Sequence, residues 1–94
     1  MFDVQINGPR WKVALIKFFR AVHGSWGLTE SKDLVEREVS FDSWMSDTLT
    51  FTLRVTASQY GRLAHFVFMD KRFSVLDSVS VPSIDHEIID LTGP

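Results

Sequence analysis

From Leu49 to Val55 the sequence alternates without a break: Leu49, Phe51, Leu53 and Val55 are apolar, and Thr50, Thr52 and Arg54 stand between them. Successive side chains on a pleated strand point to opposite faces, so this pattern is a strand with one face in a core and the other turned outward. Such a strand is not stable alone. It needs neighbours in a sheet and an apolar layer over its inner face. The rest of the chain is read for what supplies them.

Residues 2–6 repeat the alternation, with Phe2, Val4 and Ile6 on one face, and Asn7, Gly8 and Pro9 are expected to end that strand in a turn. From 12 to 23 the period becomes helical: at 100° per residue Leu15, Phe18, Phe19 and Val22 share one arc of about 100°, and Gly24 closes the helix. A second helix is expected over 27–37, with Leu28, Ser31, Leu34 and Val35 on its inner face, Thr29 as a capping residue, and Asp33 four residues before Arg37. Residues 39–47 read as irregular or as a short edge strand. A third helix runs from 57 to about 71, carrying Tyr60, Leu63, Ala64, Val67 and Phe68, and a last strand is expected from 73 to 81. Pro82 ends it, and 83–94 is expected to be an acidic, flexible tail. The fold class is therefore α+β, in the order strand-helix-helix-strand-helix-strand: a small antiparallel sheet covered on one face by three helices.

Composition narrows the function. With 94 residues the chain is expected to form a single domain, over 1–82, followed by the tail. Apolar residues at 45% and a net charge of −2 argue against disorder, and the near-neutral balance argues against a general nucleic-acid binder. The chain has no Cys, which removes thiolate metal sites, thiol nucleophiles and disulfides. No targeting segment or spanning apolar run is visible, so a cytoplasmic protein without a membrane role is expected. The glycines form no phosphate loop, and His23, His65 and His86 lack metal-ligand spacing. His23 is expected to complement the dipole at the helix end, and the acid–base trio Asp85, His86 and Glu87 lies in the tail with nothing to orient it. No enzyme, metal or cofactor is expected.

The first helix carries the one patch that suggests a partner. Opposite its core stripe the helical wheel gathers Lys12, His23, Ile16, Arg20, Val13 and Lys17, so cations surround two β-branched apolar residues. One reading packs Val13 and Ile16 under a neighbouring loop and leaves the cations to solubilise the surface. The other makes the sector a docking patch, with an apolar centre and a basic rim that steers an acidic partner. Trp26, between Gly24 and Gly27, is either a core residue in a tight turn or an anchor beside that patch.

These residues resemble a known family. KVALIK from Lys12 to Lys17, then Arg20, then GLTESKDLVE from Gly27 to Glu36 looks like the C-terminal domain of the bacterial ribosomal stalk protein of the large subunit (protein seven/twelve), whose pattern is close to KVxVIKxVR, a Thr-Gly turn, and GLKEAKDLVE. The likeness covers residues 2–37, with one extra residue at Ser25 or Trp26. It implies the element order already read from periodicity. It also implies recruitment of translational GTPases through the exposed face of the first two helices. Carried over by position, the partner-binding residues are Lys12, Val13, Ile16, Lys17, Arg20, Gly27, Leu28, Glu30 and Lys32, with Trp26 beside them. Thr29 stands where the family has Lys, the chain is richer in aromatics, residues 39–47 look like an insertion, and the dimerising arm and hinge of the family are not seen. The expectation is a monomeric, stand-alone domain of this descent, of the kind a phage could carry as a mimic or competitor. It would be a non-catalytic module docking on a translational GTPase or another host factor. The alternative is an inhibitor or adaptor of another host machine, a protease or polymerase, acting through the aromatic insertion or the tail, where Glu87 to Leu91 could add as a strand to a partner's sheet.

Overall fold

The computed structural model describes residues 2–76 and 88–92. Seven elements follow one another: β1 (Phe2–Pro9), α1 (Lys12–His23), α2 (Leu28–Glu38), β2 (Thr48–Val55), α3 (Ala57–Met69), β3 (Ser74–Leu76) and β4 (Ile88–Asp90). The class is α+β, as the sequence indicates: three helices and one open sheet, with strand order β3-β1-β2-β4. The sheet is mixed rather than antiparallel. β1 pairs antiparallel with β2 and β3, but β4 runs parallel to β2, with Thr52 opposite Ile88 and Arg54 opposite Asp90.

The inner face of the sheet is the one the alternation assigned. Val4 and Ile6 of β1, Leu53 and Val55 of β2 and Ile89 of β4 join the inner residues of α1, α2 and α3 in one core. Phe18 of α1 stands at its centre. Its ring stacks on Phe73 at 4.6 Å, with the planes 7° apart, and meets Phe19, Phe51 and Phe66 edge-on at 5.3, 5.9 and 5.4 Å. One side chain thus touches α1, β2, α3 and the segment leading into β3.

That cluster explains why β1 does not turn at Asn7. The strand continues through Pro9, because the Phe73 ring lies against the backbone of Gly8: a Cβ there would sit 2.7 Å from Phe73 Cδ2. Asn7 pairs with Thr50 in the ladder, and its Nδ2 donates to Thr50 Oγ1 at 3.2 Å. Pro9 is tolerated because β1 at that point has β2 on one side only, β3 pairing just with residues 5–7.

The start of α2 differs from expectation, whereas α3 begins at Ala57 as expected. Gly27, not Thr29, is the N-cap of α2, and the Ser31 hydroxyl donates to Gly27 O at 3.1 Å. Arg37 forms its ion pair with Glu38 at 3.1 Å rather than with Asp33. α3 opens on a capping box: Gln59 N donates to Thr56 Oγ1 and Thr56 N to Gln59 Oε1.

The C-terminal residues overturn the expectation of a flexible tail at 88–92. Ile89 and Leu91 are buried, Leu91 N donates to Arg54 O at 2.9 Å, and Gln59 Nε2 donates to Leu91 O at 2.6 Å. The acids in this stretch hid a strand with apolar residues on its inner face. The segment adds to this chain's own sheet edge, which withdraws it from the strand-donating role considered above. The expected continuation of the last strand over 77–81, and Asp85, His86 and Glu87, lie outside the described residues.

Leu91→Ala is therefore expected to lower stability by about 2–5 kcal/mol, as a core truncation does, where a free tail would give no change. Gly8→Ala is expected to cost about 1–3 kcal/mol through the clash with Phe73. Urea unfolding at neutral pH checks both.

Candidate functional site

α1 and α2 are joined by the short link 24–27 and lie antiparallel. Lys12 Nζ binds Glu36 Oε2 at 3.1 Å and sits 5.6 Å from the Phe41 ring centre. Steps of four residues along each helix then place Ile16 opposite Lys32 and Arg20 opposite Leu28. The row Lys12, Ile16, Arg20 abuts α2, which is why Ile16 is a core residue, 8% exposed, and not an outward-facing contact. α1 is the middle helix of the layer, with α2 on one side and α3 on the other, so its buried arc takes in Ala14, Ile16 and His23 besides the expected stripe.

What remains outward on α1 is a ridge. Val13 (48% exposed), Lys17 and Ala21 follow one another at steps of four, with Arg20 three residues after Lys17. Leu28 and Lys32 on α2 are exposed beside it. Of the predicted residues, Val13, Lys17, Arg20, Leu28 and Lys32 thus form one surface.

The others have structural work. Trp26 is half-buried and stacks on His23, ring centres 4.1 Å apart and planes 9° apart, so it packs under the helix junction rather than projecting. His23 is buried. The Ser25 amide donates to its Nδ1 at 3.4 Å, and its Nε2 has no hydrogen-bond partner among the described residues. Gly27 caps α2, and the exposed Glu30 lies in the first turn of that helix, where an acid complements the dipole. Gly24 takes φ +84°, and Arg62 of α3 crosses over it, its Nη1 3.5 Å from His23 O.

The ridge is electropositive. α1 has no Asp or Glu, and Arg20 and Lys32 enter no ion pair among the described residues. Lys17 interacts with Asp70, whose carboxyl is held low chiefly by its hydrogen bonds from Arg72. On the opposite side of the sheet, Asp3, Arg54 and Asp90 stand in one row across β1, β2 and β4. Arg54 binds Asp3 at 2.9 and 3.3 Å and lowers its pKa; Asp90 is lowered first by hydrogen bonds from Thr92.

Sequence reasoning missed two groups next to the ridge. Trp11, just before α1, is exposed with Arg72 4.8 Å from its ring centre, and Met69 at the end of α3 is 68% exposed. Trp11 continues the spacing of Leu15, Phe18 and Val22 and so reads as core, but it precedes the helix as its N-cap and stays outside. Arg10 grips the segment 40–48, a role that no sequence spacing announces.

Nothing else in the described residues gathers chemistry. No cluster of three His, Asp or Glu could hold a metal, and no helix is long and apolar enough to cross a membrane, among those residues. An opening of about 400 Å³ beside β2, lined by Val39, Leu49, Phe51 and Ile89 among others, has Glu38 as its one ionisable side chain among the described residues. Comparison with known protein families, curated proteins and solved structures finds no match in any of the three. The resemblance to the stalk domain accordingly rests on residues 2–37 alone.

The folded state holds Asp3, Asp70 and Asp90 below their ordinary pKa. Their contacts contribute stability above the usual carboxylate range, and that contribution is lost as pH falls through the depressed values. The side chains are partly exposed, so the effect is modest. The urea midpoint is expected to stay level between about pH 7 and 5 and to fall below about pH 4. Asp3→Asn should make the acid limb shallower and lower the neutral plateau.

Proposed function

We propose that this chain is a non-catalytic protein-interaction module that docks an acidic partner on the ridge of α1 and the adjoining row of α2. The observation that carries this reading is the exposure of Val13, Lys17 and Arg20 on α1 and of Leu28 and Lys32 on the neighbouring α2, with no acid on the central helix. Exposed apolar side chains supply the area for burial, and unpaired cations supply steering and register. Ile16, Trp26 and Gly27 act by holding α1 and α2 at the spacing that presents those groups.

The partner to test first is a translational GTPase, since the likeness in KVALIK and GLTESKDLVE falls on the elements that build this surface. A copy that docks in solution would compete with a ribosome-bound stalk domain for the same groove, which is how a phage-encoded mimic would act.

Amide chemical shifts followed during titration with the GTPase domain of a bacterial elongation factor test this. Shifts are expected at Val13, Lys17, Arg20, Leu28 and Lys32, and Lys17→Glu with Arg20→Glu should weaken binding about tenfold or more, ~1.4 kcal/mol. Unmoved α1 and α2 resonances at saturating concentration would rule that partner out.

A further inference from the structure

Trp44 is 79% exposed. It stands in the segment 40–48 between the end of α2 and β2, and hydrogen bonds tie that segment to Arg10 without burying the indole. Arg10 Nε donates to Ser46 O at 2.7 Å, Nη1 to Ser40 O at 2.9 Å and Nη2 to Thr48 O at 3.3 Å, while Arg10 N donates to Asp47 O at 2.6 Å. Met45 N reaches Asp42 O at 3.0 Å, and Ser40 Oγ donates to Asp42 Oδ2 at 2.9 Å. A bare indole on a braced loop has its ordering cost met before any partner arrives. Asp42 and Asp47 are exposed on either side of it, and residues 39–48 contain no Lys or Arg.

The helical layer of the same chain carries the complementary surface. Trp11, Val13 and Met69 are exposed, Arg72 lies over Trp11, and Asp70 binds Arg72 at 2.7 and 3.0 Å. Lys17 acts on Asp70, which Arg72 already engages, and the exposed Lys71 stands between those two residues in sequence with its Nζ 5.1 Å from the Phe68 ring centre. One patch is an aromatic with an acidic rim; the other is an apolar corner with a basic rim.

We infer that the occupant of this corner is a second copy of the chain: Trp44 of one copy packs on Trp11, Val13 and Met69 of the other, with Asp42 and Asp47 facing Lys17 and Lys71. Both patches lie where β1 passes into α1, at Arg10 and Trp11, so two copies can exchange loops about a two-fold axis and close. Each of the two symmetric contacts sets one Trp against three side chains, a small apolar content, so the dimer is weak and reversible. This goes beyond the docking surface proposed above, shares Val13 and Lys17 with it, and would mask it at high concentration.

Sedimentation velocity on the protein alone tests the inference, whatever the GTPase titration gives. Over a series from about 10 μM to about 1 mM, the range in which a small interface of this kind associates, the average sedimentation coefficient is expected to rise from the monomer toward the dimer value. Trp44→Ala should flatten the series, as should Asp42→Lys with Asp47→Lys, or Lys17→Asp with Lys71→Asp. All these side chains are exposed, and thermal unfolding confirms that each variant is folded. Mixing the two charge-reversed proteins should restore association, because each then offers the rim that the other lacks. A parent that stays monomeric throughout overturns the proposal. So does association that Trp44→Ala leaves unchanged, or a mixture that fails to associate.

Discussion

The face-to-face stack of Phe18 on Phe73 fixes more of this fold than any other contact. Phe18 is fully buried and belongs to the middle helix, so its ring is the point at which the helical layer registers against the sheet. Phe51 and Phe66 close on its edges from β2 and α3, in the edge-to-face geometry that aromatic quadrupoles favour. The stack also reaches back into the sequence of β1. Phe73 can lie flat under Phe18 because residue 8 has no side chain, and a strand that would otherwise turn at Asn7 runs on to Pro9. A glycine that reads as a turn signal is here a clearance for a ring.

A second constraint works from the far edge. Gln59 spends its amide oxygen on the α3 capping box and its amide nitrogen on Leu91 O, so one buried side chain ties the start of α3 to the end of β4. β4 in turn extends the sheet parallel to β2 and covers part of an edge that would otherwise be open. Asp90 costs the strand nothing: it faces outward in the row with Arg54 and Asp3, while Ile89 and Leu91 turn inward.

These two constraints mark where reading the sequence succeeds and where it stops. Alternation in β2 and the three-and-four spacing in α1 are local, and they predicted element type and inner face within a few residues. In α3 the element was right but the face was not, since Tyr60, Ala64 and Phe68 are exposed while Gln59 and Leu63 are buried. Ile16 was misplaced because the wheel shows one helix at a time, whereas α1 is flanked on both sides and its row Lys12, Ile16, Arg20 abuts α2. β4 was missed because three residues of strand have no period to detect, and its partner is more than thirty residues away in sequence. Arg10 gave no signal at all, since its donors meet backbone carbonyls, which every residue possesses. Of the docking residues, those whose exposure follows from helix phase alone (Val13, Lys17, Arg20) were legible. Those whose role depends on a neighbour (Trp26 on His23, Trp11 under Arg72) were not.

The same central position that buries most of α1 concentrates its chemistry. A helix packed on two flanks and on the sheet has one narrow strip left, and here that strip holds Val13, Lys17, Arg20 and Ala21 without an acid. The net charge of −2 hides this, because the compensating acids sit on the sheet's outer face, in the 40–48 loop and on α2. Separation of charge between faces of a small domain orients an approaching partner before contact, and it does so for a foreign acidic surface and for a second copy alike. What discriminates between them is the apolar component. The exposed face of α1 and α2 offers aliphatic side chains, Val13 and Leu28, suited to another aliphatic surface. The corner at Trp11 and Met69 offers an aromatic and a pliable thioether, the kind of floor on which an indole such as Trp44 packs.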